Sequence, residues 1–152
     1  MNILSVLALA AGAAIALQAT MNAHLGVLLK NSMMGTSIAF LFSMIFSVIT
    51  LLIMAKQLPN LTDIKLVPWY LWFTGGALSA FGVGMFYYLI PKMGIGSMMS
   101  YALSGQILMA IIASHLGWFD LPIKSINSTK VIGTILLIVG VLLINWESNL
   151  GH

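Results

Sequence analysis

GTSIAFLFSMIFSVITLLIMA, residues 35–55, holds no charged residue and no proline, and its one glycine stands at its start. An apolar run of about 20 residues is what an α-helix needs to cross the roughly 30 Å hydrocarbon core of a bilayer. In lipid the backbone must satisfy its own hydrogen bonds, which a helix does within one segment. The run is stopped by Lys56 and Pro59, a charge and a helix breaker. It reads as a transmembrane helix.

The same reading extends in both directions. Upstream, Ile3 to Leu29 is an apolar run stopped by Lys30 and Asn31. Downstream, a loop from Lys56 to Pro68 carries Asp63 and Lys65, and Trp69, Tyr70 and Trp72 then form an interfacial aromatic cluster. That cluster opens a third span, 70–90, closed by Pro91 and Lys92. A fourth span covers 95–118, and a loop from Asp120 to Lys130 containing Pro122 leads to a short fifth, 131–146. The expected fold is an all-α integral membrane protein, one domain over 1–152 with five transmembrane helices.

Composition agrees. Of 152 residues, 61% are hydrophobic and 6% charged, against roughly 25% charged in an ordinary soluble domain. Five spans and their loops leave no room for a further folded domain. Cysteine is absent, which excludes disulfides and thiol chemistry. All six basic residues are lysines and the net charge is +3, too little for a nucleic-acid footprint. The Ala-rich start imitates a secretory signal, but no Lys or Arg precedes it and hydrophobicity continues through Leu29, so a retained span is expected.

The lysines report topology. Five spans put Lys56, Lys65, Lys124 and Lys130 on the side of the N-terminus and Lys30 and Lys92 on the other. By the positive-inside rule this favours a cytoplasmic N-terminus. The margin is small enough to be compatible with insertion in both orientations.

Small residues mark the expected packing faces. Gly75 and Ser79 lie on one line of the third span, and Gly76, Ala80 and Gly84 on an adjacent line. Gly133 and Gly140 share a face of the fifth. Such stripes let helix backbones approach closely, within one chain or between two.

No acid falls inside a span, because Asp63, Asp120 and Glu147 all sit near span ends or in loops. A cation exchanger that works through a buried carboxylate therefore lacks its central group here. The polar residues within the spans are neutral. Gln18 and Asn22 are four apart on one helix face, at about 3 Å and about 9 Å from the middle of their span. Gln106 falls near the centre of the fourth span, where Tyr101 shares a face with Ser97 and Ser104 and where His115 lies near the end. An amide at such depth needs a partner, either another helix or a ligand, and both roles are open to Gln18, Asn22 and Gln106. His24 is placed to reach the headgroups, and Tyr87 and Tyr88 are expected as belt or packing residues. No hydrolase elbow, phosphate-binding loop, metal-ligand cluster or carboxylate dyad occurs, so no enzyme, cofactor or metal is expected.

Several segments carry a resemblance. ALQATMNAHLG (16–26), PKMGIG (91–96), SGQILMA (104–110), HLGWF (115–119) and VIGTILLIVGVLLI (131–144) together resemble the YdcZ family of the drug/metabolite transporter superfamily. The resemblance implies a five-helix unit equal to half of an inverted-repeat transporter, located in the cell inner membrane and paired antiparallel as a homodimer or with an oppositely oriented paralogue. It further implies a small-molecule substrate handled at the midplane by alternating access. Gln18, Asn22, Tyr101, Ser104, Gln106 and His115 are the candidate substrate-binding residues. The family often has aspartate before the fourth-span histidine, whereas Ser114 stands here. Without that acid, facilitated diffusion or coupling through His115 gains weight. The competing expectation is a non-transporting membrane scaffold or accessory subunit whose small-residue stripes bind another membrane protein.

Overall fold

The computed structural model describes residues 2–55, 58–120 and 122–146. Lys56 and Glu147 lie outside the described residues. Six α-helices account for the described architecture: α1 (Ile3–Leu28), α2 (Ser32–Met54), α3 (Leu61–Leu66), α4 (Thr74–Met93), α5 (Ile95–Leu116) and α6 (Ser128–Ile144), with no strand among the described residues. Four segments are long and apolar enough to cross a membrane, Ile3–Leu28, Ser32–Met54, Trp69–Met93 and Ile95–Leu116, and α6 is a shorter fifth. At 17 residues, α6 is about 26 Å long. The all-helical membrane fold with five apolar helices read from the hydropathy is the observed one. The chain divides into two compact units, Met1–Lys92 and Met93–His152.

In the first unit, α1 and α2 form a hairpin whose turn is fully accounted for. Lys30 adopts the left-handed conformation (φ 54°). The Lys30 N–H donates to the Val27 carbonyl at 3.0 Å and the Asn31 N–H to the Gly26 carbonyl at 2.9 Å. This is the Schellman pair of bonds, with lysine at the position glycine usually takes. Asn31 then caps α2, its side chain accepting from the Met34 N–H at 3.1 Å. One residue thus closes α1 and opens α2. Gly26 and Gly35 are both buried where the helices meet. A Cβ on Gly35 would lie 3.0 Å from the Gly26 Cα and 3.1 Å from the Asn22 carbonyl oxygen. Backbones approach this closely only where both side chains are hydrogen.

The loop after α2 is structured by Asn60 and Asp63, each side chain accepting from the other's backbone N–H, a capping box for α3. A 3-10 turn, Trp69–Trp72, leads into α4. The helix does not stop at Pro91 but runs on to Met93. Proline has no N–H to offer the carbonyl one turn earlier, a loss the last turn of a helix bears more easily than its middle.

In the second unit, α5 starts after Gly94 (φ 82°) and ends at Gly117 (φ 64°), so Trp118, expected within the span, lies beyond the helix. Asn127 caps α6 by accepting from the Lys130 N–H at 2.9 Å. The Lys130 ammonium donates back to the carbonyls of Lys124 and Ser125 at 3.1 and 2.8 Å. These loop bonds start α6 at Ser128, ahead of the first apolar residue.

Large apolar side chains face outward, among them Leu52, Ile53, Leu78 and Leu136. The buried positions are mostly small or medium residues, such as Ala19, Ala23, Ala39 and Val141. That inversion suits lipid, in which large apolar surface need not be hidden and small residues bring helices together.

Candidate functional site

The first unit contains a closed triangle of polar side chains. Gln18 and Asn22 stand one turn apart on α1, beside the buried stripe of Ala19, Ala23 and Gly26. Tyr87 comes from α4, on the face that also buries Gly84 and Ile90. Its neighbour Gly84 packs on α2, where a Cβ would meet Met33 Sδ at 3.0 Å and Thr36 Oγ1 at 3.7 Å. The small residue at 84 lets α4 settle deeply enough to bury Tyr87, which is 2% exposed.

The hydrogen bonds use the three groups efficiently. Asn22 Nδ2 donates to Gln18 Oε1 at 2.8 Å and to the Tyr87 hydroxyl at 2.9 Å. The Tyr87 hydroxyl donates to Gln18 Oε1 at 3.1 Å. Both hydrogens of one amide, both lone pairs of the other and the phenol's donor and acceptor are consumed. Left over are the Gln18 Nε2 amino group, with two donors, and the Asn22 Oδ1 acceptor, for which the described residues supply no partner. Gln18 is exposed and Asn22 half-buried, so these groups are accessible beside the hydrogen-bonded triangle. The arrangement offers hydrogen bonding without net charge. It suits a neutral or zwitterionic group carrying both donors and acceptors.

The remaining sequence-derived candidates lie in the second unit and are not joined in one network. Ser104 Oγ donates to the Ser100 carbonyl at 3.0 Å, a bond within α5. Tyr101, Gln106 and His115 are exposed. Gln18 and Gln106 belong to different units. A second polar contact does join α5 to α6. Asn145 Nδ2 donates to Ser100 Oγ at 2.9 Å and to the Val141 carbonyl at 2.7 Å, while Ser100 Oγ donates to the Ser97 carbonyl at 2.8 Å. Asn145 is 2% exposed, and its Oδ1 has no hydrogen-bond partner among the described residues.

The packing glycines divide into two groups. Gly84 is tightly enclosed, whereas a Cβ on Gly75, Gly76, Gly133 or Gly140 would meet nothing within 4 Å. Ser79 is exposed and Ala80 half-buried.

Sequence reasoning missed Tyr87 and Asn145 as network members. Tyr87 carried a usable signal in its depth. It lies about six residues past the centre of Trp69–Met93, hence about 9 Å from the middle, as Asn22 does in its own helix. Asn145 signalled itself only as an amide in the last turn of an apolar helix.

Apolar helices of membrane length with uncharged polar side chains between them define a multi-pass membrane protein of transporter type. The chain belongs to the YdcZ family: the family model described as "Putative inner membrane exporter, YdcZ" matches residues 3–143. Its place is accordingly the inner membrane. No curated protein and no solved structure matches the chain.

Proposed function

We propose that this chain is half of an exporter of small molecules, a single five-helix membrane domain that pairs antiparallel with a second copy or an oppositely oriented paralogue. Transport proceeds by alternating access around a neutral polar site near the midplane. The Gln18–Asn22–Tyr87 triangle carries this reading. Its frame is preorganised, and one amino group and one carbonyl stay available to a ligand. Tyr101, Ser104, Gln106 and His115 complete the lining when the two halves assemble.

Two further observations support pairing. Gly75, Gly76, Gly133 and Gly140 have open space above them, and small-residue faces are where a second helix backbone can approach closely. A second chain would cover such surfaces. The positive-inside bias of four lysines against two leaves both orientations accessible to one sequence.

The test is efflux from cells producing the chain, scored over a panel of amino acids, sugars and organic cations. Gln18→Leu and Gln106→Leu are expected to abolish efflux of whichever compound responds while leaving membrane insertion intact. Retained efflux in both variants would refute the site. The scaffold reading draws on the same triangle, whose internal bonds also serve as helix glue. It predicts no efflux of any compound and a stoichiometric unrelated partner on purification.

A further inference from the structure

A groove of about 370 Å³ opens in the first unit, with Lys30, Asn31, Ser32, Tyr87, Tyr88 and Lys92 in its wall. Two of these are lysines, brought from the α1–α2 turn and from the last turn of α4, and no acid among the described residues lines the groove. Neither lysine is placed at random. The Schellman turn fixes the backbone of Lys30 (φ 54°), and the Lys92 ammonium sits 3.6 Å from the centroid of the Tyr88 ring. A ring face orients an ammonium but leaves its charge without a counterion.

Depth places the groove at the membrane surface. Along the helices, Lys30 lies about 12 Å beyond Asn22 and Lys92 about 8 Å beyond Tyr87, both toward the same end of the unit. From triangle depth this reaches the level of the lipid phosphates. Two ammoniums in one groove repel each other, and a shared anion turns that repulsion into attraction. Lysine binds phosphate as a point charge and needs no fork geometry. The Ser32 hydroxyl and the Asn31 amide add neutral donors. The positive end of the α2 dipole is opposed there by the negative ends of α1 and α4, so the two lysines alone carry the positive charge.

We propose that this groove is a binding site for a phosphate-class oxyanion held between Lys30 and Lys92, next to the transport site proposed above, with which it shares the Tyr87 side chain. The phosphate belongs either to an anionic lipid headgroup or to a soluble molecule.

The experiment measures thermal unfolding of the purified chain in a neutral detergent by tryptophan fluorescence. One arm titrates inorganic phosphate against chloride at matched ionic strength. The other titrates phosphatidylglycerol against phosphatidylcholine in mixed micelles. Stabilisation by phosphatidylglycerol alone assigns the site to lipid, and stabilisation by inorganic phosphate assigns it to soluble phosphate; either supports the proposal when it depends on the two lysines. Dependence means that K30Q and K92Q each weaken the effect roughly fivefold and the double variant roughly thirtyfold. K30R/K92R and K65Q should retain it. The single variants and the arginine pair keep the test decisive if the double variant does not fold. No stabilisation by either probe, or stabilisation unchanged in K30Q and K92Q, would overturn it.

Discussion

The Tyr87 hydroxyl accepts a 2.9 Å hydrogen bond from Asn22 Nδ2 across 65 positions of sequence, and returns one of 3.1 Å to Gln18 Oε1. Because the phenol both gives and takes, its removal leaves one amide hydrogen and one carbonyl lone pair unanswered. Tyr87→Phe keeps the ring and its packing while deleting the hydroxyl. We expect a loss of about 1 kcal/mol in stability. A double-mutant cycle of Tyr87→Phe with Asn22→Ala should give a coupling of about 0.6 to 1.7 kcal/mol, read from unfolding in mixed micelles. Zero coupling would mean that the triangle is not maintained in the folded protein.

The α1–α2 hairpin makes a separate demand. A Cβ at residue 35 would press on backbone atoms of Gly26 and Asn22 at 3.0 to 3.1 Å, and backbone cannot rotate aside as a side chain can. Gly35→Ala is therefore expected to cost about 1 to 3 kcal/mol. Gly133→Ala, with open space above it, should change the stability of the chain by less than about 0.5 kcal/mol. If Gly133 faces a second chain in the proposed dimer, its alanine variant should instead lower the dimer fraction in cross-linking. Equal destabilisation by the two substitutions would contradict the observed packing.

How much could be read in advance followed from how local each signal is. Hydropathy is a property of consecutive residues, so 35–55 announced its helix without reference to the rest of the chain. Gln18 and Asn22 announced a common face in the same way, through one helical turn. The Lys30 turn was hidden because lysine occupies a left-handed position that glycine would have advertised. The continuation of α4 through Pro91 was hidden because a proline in a last turn does not end every helix. Tyr87 reads from sequence as a belt or packing residue, since nothing near it names its partners. Its depth matched that of Asn22, but depth selects a level in the membrane and not which helix lies alongside.

Asn145 offers a contrast between losing a donor and gaining a charge. Asn145→Ala deletes the bonds to Ser100 and Val141 but also removes a buried acceptor with no partner among the described residues. These effects oppose each other, and the net cost should stay below about 1 kcal/mol. Asn145→Asp keeps the shape and replaces the donor with an anionic oxygen facing the Val141 carbonyl. It should cost roughly 2 kcal/mol more than the alanine change at neutral pH. Thermal unfolding of the two variants side by side checks the order, and an aspartate as mild as alanine would show that the amide does not donate at this contact.

The absence of cysteine allows orientation to be measured with a single introduced thiol. Asn2 caps α1 with a 3.3 Å bond from the Leu4 N–H and lies exposed just outside the first helix. Asn2→Cys loses that cap, at a cost of about 1 kcal/mol, and places a reactive group at the membrane boundary. The lysine distribution gives the positive-inside rule little to act on, so an antiparallel homodimer requires one population of chains in each orientation. An impermeant thiol reagent applied to intact cells should then label roughly half of the Asn2→Cys chains, and the remainder should label after the membrane is opened. Moving a lysine tests the cause, because Lys30→Gln with Lys92→Gln strips the far side and should shift the population toward a cytoplasmic N-terminus. Labelling confined to one side in the Asn2→Cys protein would exclude the homodimer and require a paralogue of opposite orientation to complete the transporter.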